Sequence, residues 1–290
     1  KFFVAGVFIS LALPATAQPI ENIKVVATFS ILGDMVTKIG GEHVFVTTLV
    51  GPNGNTHVYR PTPAAARTLR EADVLIVNGL GFEGWLSRLV EASGFDGNQV
   101  VATTGIKAIP YEKEETHDEH SNEKHHDKHA GDDHGAFDPH AWQSLAHAVI
   151  YVNNITAALA QINPDNAATF YQNRAAYIAE INELDKQIHE MVASLPQNRR
   201  TVVTSHDAFQ YFGRNYGLTF LAPQGLSTES EASAQDMAHL IQQIREKQIS
   251  SVFVENITNP RLLQQIAKET GASIGGTLYP GALSEPDGPA

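Results

Sequence analysis

The residues most able to do chemistry are the histidines and carboxylates of the run from Glu112 to His134. The run holds six histidines, nine carboxylates and three lysines, so its net charge is −6, half of the −12 of the whole chain. Imidazole and carboxylate are the side chains that bind divalent transition metals at neutral pH. The run therefore indicates metal binding through His117, His120, His125, His126, His129 and His134.

The same run contains almost no large apolar side chains, so we expect a mobile loop that buries no core. Its ligands are not preorganised, and ordering them around an ion costs conformational entropy. The run thus predicts several weak zinc sites, sensitive to pH near the histidine pKa. Such sites would raise the local zinc concentration, receive zinc from a periplasmic zinc chaperone, or sense supply. The alternative is a solvated segment without a metal role.

Three of the seven remaining histidines stand where predicted strands give way to loops or helices. His57 follows a Gly/Asn-rich turn after one strand, and His206 directly follows another. His140 lies in the first turn of a predicted helix. In open α/β sheets, ligands bind at the carboxyl ends of the strands, so these three imidazoles are predicted to converge in one cleft. The others are interpreted as surface or packing residues: His43, His147, His189 and His239.

Short apolar runs alternate with helical patterns in both halves of the chain, which predicts parallel α/β layers. In the first half, strands are predicted at 24–30, 44–50, 73–78 and 99–103, with helices at 31–40 and 63–72. In the second half, strands are predicted at 201–205 and 251–255, with helices at 208–216, 233–247 and 260–270. No element is predicted after Thr270.

Two further helices are predicted where a proline follows an N-cap residue. Asp138 is the predicted cap of the first helix, which runs to about Gln161. The second helix covers 163–195, and its roughly 32 residues would span on the order of 48 Å.

The predicted fold class is therefore α/β with two lobes. Each lobe is expected to be a mostly parallel sheet flanked by helices, with a metal site in the cleft between them. The predicted boundaries are 22–160 for the N-terminal lobe, including a loop at 112–134, 163–195 for one long linking helix, and 197–290 for the C-terminal lobe.

Composition and the amino-terminal segment limit the class of protein. The chain has 290 residues, 42% of them apolar, which is enough for one large or two medium domains. It has no cysteine, which excludes disulfides, thiolate metal sites and lipid attachment through an N-terminal cysteine. The sequence contains no basic stripe of the kind that indicates nucleic-acid binding. Residues 1–17 show a basic start, an apolar run and an A-x-A site, which predicts a signal peptide cleaved after Ala17 and a soluble periplasmic protein.

Five motifs follow one another along nearly all of the mature chain: Asn55–Pro63 (NTHVYRPTP), Asn78–Leu86 (NGLGFEGWL), Asp138–Trp142 (DPHAW), Ser205–Phe209 (SHDAF) and Tyr279–Ala290 (YPGALSEPDGPA). Together they closely resemble the metal-binding solute-binding proteins of bacterial ABC importers for zinc or manganese (cluster A-I, or cluster 9). Each motif alone is weak, whereas the ordered set is specific.

This resemblance implies two α/β lobes bridged by one rigid helix, with a metal ion held between them. It also implies the metal ligands, at the positions His57, His140, His206 and Asp287. Relatives continue through a further helix after the last motif, so the resemblance implies that this C-terminal lobe is truncated at its end. Glu229 and Glu231 are the alternative carboxylate ligands.

The implied ligand set favours zinc as the bound ion. Three neutral imidazoles and one carboxylate suit a tetrahedral Zn²⁺ site, whereas manganese prefers more oxygen ligands and a higher coordination number. Manganese-type relatives usually carry a carboxylate at the position of His206. Two further carboxylates are candidates for orienting the imidazoles. Asp207 could orient His206 or cap a helix, and Glu255 ends a strand facing the cleft.

The leading hypothesis is a monomeric zinc-binding protein, not an enzyme, that delivers Zn²⁺ to the membrane permease of an ABC importer. A manganese-binding homologue and a surface adhesin, a description that some relatives carry, are the alternatives. A zinc hydrolase is disfavoured because four protein ligands leave little room for an activated water. The chain also lacks an H-E-x-x-H motif. A single bridging helix further predicts small lobe motions on metal release.

Overall fold

The computed structural model describes residues 22–111 and 137–290. The predicted signal peptide at 1–17 and the histidine-rich run at 112–134 lie outside the described residues. Both therefore remain predictions from the sequence.

The N-terminal lobe contains a four-stranded parallel sheet with the strand order β2-β1-β3-β4. Its elements are β1 (Ile23–Phe29), α1 (Ser30–Gly40), β2 (Val44–Val50), α2 (Pro63–Arg70), β3 (Val74–Val77), α3 (Leu86–Ser93), β4 (Asn98–Val101) and α4 (Leu145–Ile162). All four residues of β3 are buried, as expected for a central strand covered on both faces. The predicted bounds of β2 match the structure, whereas α3 was not predicted.

The C-terminal lobe repeats this arrangement with a second parallel sheet, in the order β6-β5-β7-β8. Its elements are β5 (Thr201–Val203), α6 (Gln210–Tyr216), β6 (Thr219–Leu221), α7 (Ala234–Glu246), β7 (Ser251–Glu255), α8 (Arg261–Thr270) and β8 (Ser273–Leu278). The predicted bounds of β7 match the structure. The expectation that no element follows Thr270 is wrong, because β8 pairs with β7 along the edge of the sheet.

One long helix, α5 (Ala167–Ala193), lies between the lobes after a single 3-10 turn at Pro164–Asn166. Its 27 residues correspond to about 40 Å, shorter than the sequence predicted because the 3-10 turn takes its expected first residues. The amide of Asn173 donates to the carbonyl of Ile39 in the N-terminal lobe, at 3.0 Å. The hydroxyl of Tyr216 in the C-terminal lobe donates to Asp185 at 2.6 Å. The helix is thus fastened to both lobes.

The segment before α4 differs from its prediction. Asp138 does not cap a helix that starts at Pro139, because residues Ala141–Gln143 form a 3-10 turn and α4 begins only at Leu145. The side chain of Ser144 caps α4 instead, by accepting a hydrogen bond from the backbone of His147. Within the described residues, α4 is the one helix long and apolar enough to cross a membrane by those two criteria. Its buried face belongs to the core of the N-terminal lobe.

Several hydrogen bonds join the two lobes beside the cleft. The hydroxyl of Tyr211, on α6, donates to the carbonyl of Asp138 at 2.9 Å. The indole of Trp142 donates to the carbonyl of Pro280 at 2.9 Å, and the amide of Asn55 donates to Thr228 at 2.8 Å. These contacts bring the loops at the carboxyl ends of the two sheets against each other.

Candidate metal-binding site

The three histidines expected to converge lie together between the lobes. One potential ligand atom from each of His57, His140 and His206 lies within 4.8 Å of the others. His57 comes from the loop after β2, His140 from the segment before α4, and His206 from the loop after β5. His140 and His206 are fully buried, and 8% of His57 is exposed. Two lobes are therefore needed to assemble the cluster.

The spacing of two imidazoles matches that of nitrogens sharing one ion. Nε2 of His57 lies 3.2 Å from Nε2 of His140. Two nitrogens bound to one tetrahedral zinc at about 2.05 Å each would lie about 3.3 Å apart. The two rings thus already have the separation that a shared zinc ion requires.

His140 is oriented by Asp138, two residues before it. Oδ1 of Asp138 accepts a hydrogen bond from the backbone N–H of His140 at 2.9 Å and lies 2.8 Å from its Nδ1. In the neutral ring, Nδ1–H donates to this carboxylate, which leaves the lone pair of Nε2 facing the cluster. From the sequence, Asp138 was expected to cap a helix, so its contact with His140 was not predicted. The Asp-x-His spacing was the available signal, since it allows one carboxylate to bind both nitrogens.

His206 is held in a similar way by Glu255, the last residue of β7. Oε2 of Glu255 lies 2.6 Å from Nδ1 of His206. Oε1 accepts hydrogen bonds from the backbone N–H groups of Ser205 at 3.0 Å and His206 at 3.1 Å. Nε2 of His206 is buried and has no hydrogen-bond partner within the described residues. A buried polar atom without a partner is costly, and a metal ion would satisfy it.

Burial sets the charge state of this cluster. Burial, followed by the charges of the neighbouring histidines, lowers the pKa of His57 and of His140 well below the usual value of 6.5. The two imidazoles are therefore neutral at neutral pH, the form that binds metals. Burial also raises the pKa of Asp138 to about 7, because its carboxylate is shielded from water.

Asp207 lies beside the cluster but contacts a different residue. Its carboxylate accepts a hydrogen bond from the amide of Gln210 at 2.7 Å. Among the described residues, no hydrogen bond joins it to the ring of His206, and α6 has no side-chain cap. Glu255, rather than Asp207, is thus the carboxylate that orients His206.

The structure does not bring Asp287 into the cluster. Asp287 is exposed in a turn in which the backbone of Gly288 donates to Glu285 at 2.8 Å. The segment just before this turn is held close to the cleft, because Leu283 donates to the hydroxyl of Ser30 at 3.0 Å. The carbonyl of Leu283 accepts a hydrogen bond from the backbone N–H of Asn53 at 2.8 Å.

The alternative carboxylates, Glu229 and Glu231, are exposed and line a cavity of about 480 Å³ that His57 also borders. Tyr111 and Phe137, the described residues on either side of 112–136, line the same cavity. Both described residues that flank 112–136 therefore lie at this cavity.

The other described histidines lie outside the cluster and make ring or polar contacts elsewhere. The ring of His43 packs on Phe170, and that of His147 packs on Tyr211. His189 packs on Tyr216, and the ring of His239 pairs with the amide of Gln243 at 2.7 Å.

Phe82 lies in the Asn78–Leu86 motif but was not a candidate site residue, yet its ring contacts two of the clustered imidazoles. Its centroid lies 4.9 Å from that of His57 and 5.8 Å from that of His140. The ring thus forms an apolar wall of the site.

Comparisons with known proteins identify the family of this chain. The family model described as zinc-uptake complex component A, periplasmic (ZnuA) matches residues 25–290. The chain is 32% identical over 268 residues to the manganese-binding lipoprotein MntA of Halalkalibacterium halodurans, covering 92% of this chain and 82% of that protein. It is 33% identical over 269 residues to the iron-binding protein YfeA of Yersinia pestis, covering 93% and 81%.

Solved structures show the same fold. The periplasmic zinc-binding protein TroA from Treponema pallidum superposes with a TM-score of 0.80 at 27% identity, over 92% of each chain. The Mn-bound periplasmic metal-binding protein from Candidatus Liberibacter asiaticus gives a TM-score of 0.76 at 31% identity, over 93% of each chain.

Proposed function

Since this chain belongs to the ZnuA family of metal-binding components of ABC importers, we propose that it captures Zn²⁺ in the periplasm and delivers it to a membrane permease. Proteins of this family bind a solute and are not enzymes. The ion is the cargo of the site rather than a resident cofactor. The observation that carries the choice of zinc is the convergence of His57, His140 and His206 as three buried imidazoles.

The chemistry of the donor set supports zinc. Neutral imidazole nitrogens suit Zn²⁺, and the 3.2 Å between Nε2 of His57 and Nε2 of His140 fits its short bonds. The carboxylates of Asp138 and Glu255 raise the basicity of the rings that they hold and fix their orientation. Three nitrogens with carboxylate support form most of a tetrahedral zinc site.

We assign the fourth ligand to Asp287, as the family resemblance implies. This residue follows Leu283 by four positions, and Leu283 is bound to Ser30 and Asn53 beside the cleft. This assignment requires the exposed turn around Asp287 to move toward the histidines when the ion binds. Glu229 and Glu231, on the wall of the cavity next to His57, are the alternative ligands.

Manganese is the second candidate cargo. The relatives named as binding manganese or iron, MntA and YfeA, are 32% and 33% identical to this chain. The cavity beside His57 also supplies carboxylates from Glu229 and Glu231, and Mn²⁺ prefers oxygen ligands. These observations favour testing the two ions side by side.

We also propose that the protein acts as a soluble, monomeric periplasmic component. Relatives such as MntA are named as lipoproteins, so a membrane-anchored protein is the alternative to this proposal. Tyr111 and Phe137, the described residues that flank 112–136, both line the cavity beside His57. We propose that the histidine-rich run receives zinc, from a chaperone or from solution, before the ion reaches the buried cluster. Cell fractionation tests the location, and recovery on the outer surface would instead support an adhesin.

The direct test of cargo is equilibrium dialysis of chelator-stripped protein against Zn²⁺ and against Mn²⁺. The proposal expects one tightly held zinc per chain and weaker binding of manganese. Less than one tight zinc per chain, or a preference for manganese, would overturn the assignment of zinc.

A further inference from the structure

A strained turn after β3 forms one wall of the candidate site. Gly79, Leu80 and Gly81 have φ angles of 88°, 56° and 78°. Leu80 has a side chain and adopts this left-handed conformation at a cost, so the surrounding contacts must hold it there. The turn leads directly into Phe82, whose ring packs against His57 and His140.

The contact that holds this turn is the buried carboxylate of Glu83. Its Oε1 accepts hydrogen bonds from the hydroxyl of Thr28 at 2.7 Å and from the backbone N–H of Asn78 at 2.7 Å. Its Oε2 accepts from the backbone N–H of Gly79 at 3.2 Å. Glu83 is only 7% exposed, so burying a carboxylate here is tolerable only because three donors surround it.

The same network continues to the second imidazole through Asn78. The amide nitrogen of Asn78 donates to the carbonyl of Pro139 at 2.9 Å, and its oxygen accepts from the hydroxyl of Tyr151 at 2.5 Å. Pro139 immediately precedes His140. Glu83 thus acts on His140 through the backbone it fixes at Asn78, and on His57 through Phe82, without touching either ring.

We propose that Glu83 is a positioning residue that sets the metal selectivity of the site. This inference rests on the proposed zinc function and deepens it. By clamping the turn, Glu83 keeps His57 and His140 at the 3.2 Å Nε2 separation that fits the short Zn–N bonds. Mn²⁺ takes more ligands than Zn²⁺ and prefers oxygen, so His57 and His140 supply a smaller share of its coordination. A loosened turn therefore weakens zinc binding more than manganese binding.

The substitution Glu83→Gln keeps the shape of the side chain and tests this role. Glutamine replaces one carboxylate oxygen with an NH₂ group, which cannot accept a hydrogen bond. In either orientation of the amide, this NH₂ group faces the backbone N–H of Asn78 or that of Gly79. One of these two hydrogen bonds is therefore lost. We expect the affinity for zinc to fall by about tenfold, the lower end for residues that support metal ligands. The affinity for manganese should fall less, so that the zinc-to-manganese affinity ratio decreases. Both are measured by competition with a chelator at fixed pH.

Matched variants separate positioning from general destabilisation. Glu91→Gln, on the exposed face of α3, should leave the ratio unchanged. Thr28→Val removes one hydrogen-bond donor to Glu83, so it should lower the zinc-to-manganese affinity ratio, but by less than Glu83→Gln does. Thr28→Ser keeps the hydroxyl and should have the wild-type ratio. If Glu83→Gln does not fold, the Thr28 pair decides the question.

The outcomes distinguish this inference from the function beneath it. An unchanged ratio in Glu83→Gln and Thr28→Val, with only a lower melting temperature, would overturn the positioning role. A wild-type protein that prefers manganese would overturn the zinc assignment instead. The change in the zinc-to-manganese affinity ratio from wild type to Glu83→Gln can be measured whichever ion the wild type prefers.

Discussion

Glu255 binds His206 twice: Oε2 lies 2.6 Å from the ring Nδ1, and Oε1 accepts from the backbone N–H at 3.1 Å. Because β7 ends at Glu255 and β5 leads into His206, this pair ties the imidazole to two neighbouring strands of one sheet. His140 and Asp138 make the corresponding pair in the other lobe. Each lobe thus presents an imidazole already oriented by a carboxylate.

Replacing Glu255 with Gln should weaken zinc binding. The amide still offers an oxygen to Nδ1–H of His206, but it loses the negative charge that makes the ring a stronger ligand. We expect a loss of about 10- to 100-fold in zinc affinity, measured by chelator competition. Glu246→Gln, on the exposed end of α7, is the matched control and should bind zinc as the wild type does. Equal affinities in both variants would show that Glu255 only supports the fold.

The buried histidines should account for the tight site. His140→Ala removes one of three converging imidazoles and should abolish tight binding of zinc, measured as zinc retained after dialysis against a weak chelator. His239→Ala alters an exposed histidine on α7 and should retain one zinc per chain. Circular dichroism of the metal-free variants checks that both are folded. A tight zinc that survives in His140→Ala would place the site elsewhere.

Much of this site could be predicted from the sequence, because its ligands follow strands of parallel sheets. His57 and His206 follow apolar strands, and the carboxyl ends of such strands are where ligands bind. Glu255 was a candidate for the same reason. Asp138 was misassigned because Asp-Pro is also the signal of a helix N-terminus. The Asp-x-His spacing also allowed the observed contact with the ring of His140, but the helix-cap interpretation was preferred to it.

The parts of the fold that the sequence did not predict are short or unusual in conformation. β6 has three residues, and β8 is exposed along most of its length and contains Gly275 and Gly276. Neither strand shows the alternation that identifies a half-buried strand. The left-handed conformation of Leu80 has no signal in its residue type, since leucine rarely adopts it. The clamp by Glu83 therefore required the three-dimensional structure.

The identity of the fourth ligand can be tested by removing each candidate carboxylate. Asp287→Ala should lower zinc affinity, because zinc would lose its one anionic ligand. The double variant Glu229→Gln/Glu231→Gln should bind zinc as the wild type does, because these residues are exposed on the cavity wall. The measurement is the dissociation constant for zinc from chelator competition. The reverse pattern would assign the fourth position to the loop that contains Glu229 and Glu231.

Zinc affinity should increase with pH up to about 7 and then change little. Burial raises the pKa of Asp138 to about 7 in the metal-free protein, so below that pH zinc must displace a proton from this carboxylate. The pKa values of His57 and His140 are lowered well below 6.5, so protons on these imidazoles compete only at more acidic pH. Affinity measured from pH 5.5 to 8 should therefore rise by up to about tenfold per pH unit below 7.

The variant Asp138→Asn separates the contribution of the carboxylate from that of the imidazoles. It cannot titrate, so its zinc affinity should be lower at pH 7.5 and should depend less on pH between 6 and 7. A wild-type affinity that is constant over that interval would contradict the raised pKa of Asp138.

Deleting residues 112–134 should separate tight from weak binding. The run supplies six histidines and nine carboxylates, whereas the buried cluster is built entirely from residues outside it. The deletion variant should therefore keep one tight zinc per chain and lose any additional weakly bound ions, counted by isothermal titration with zinc.

Because an unperturbed histidine has a pKa of about 6.5, the weak ions of the full chain should be released as the pH falls through that value. The tight ion should be retained to lower pH, since the pKa values of His57 and His140 are lowered well below 6.5. Loss of the tight ion on deletion would make the run part of the site instead of an accessory to it.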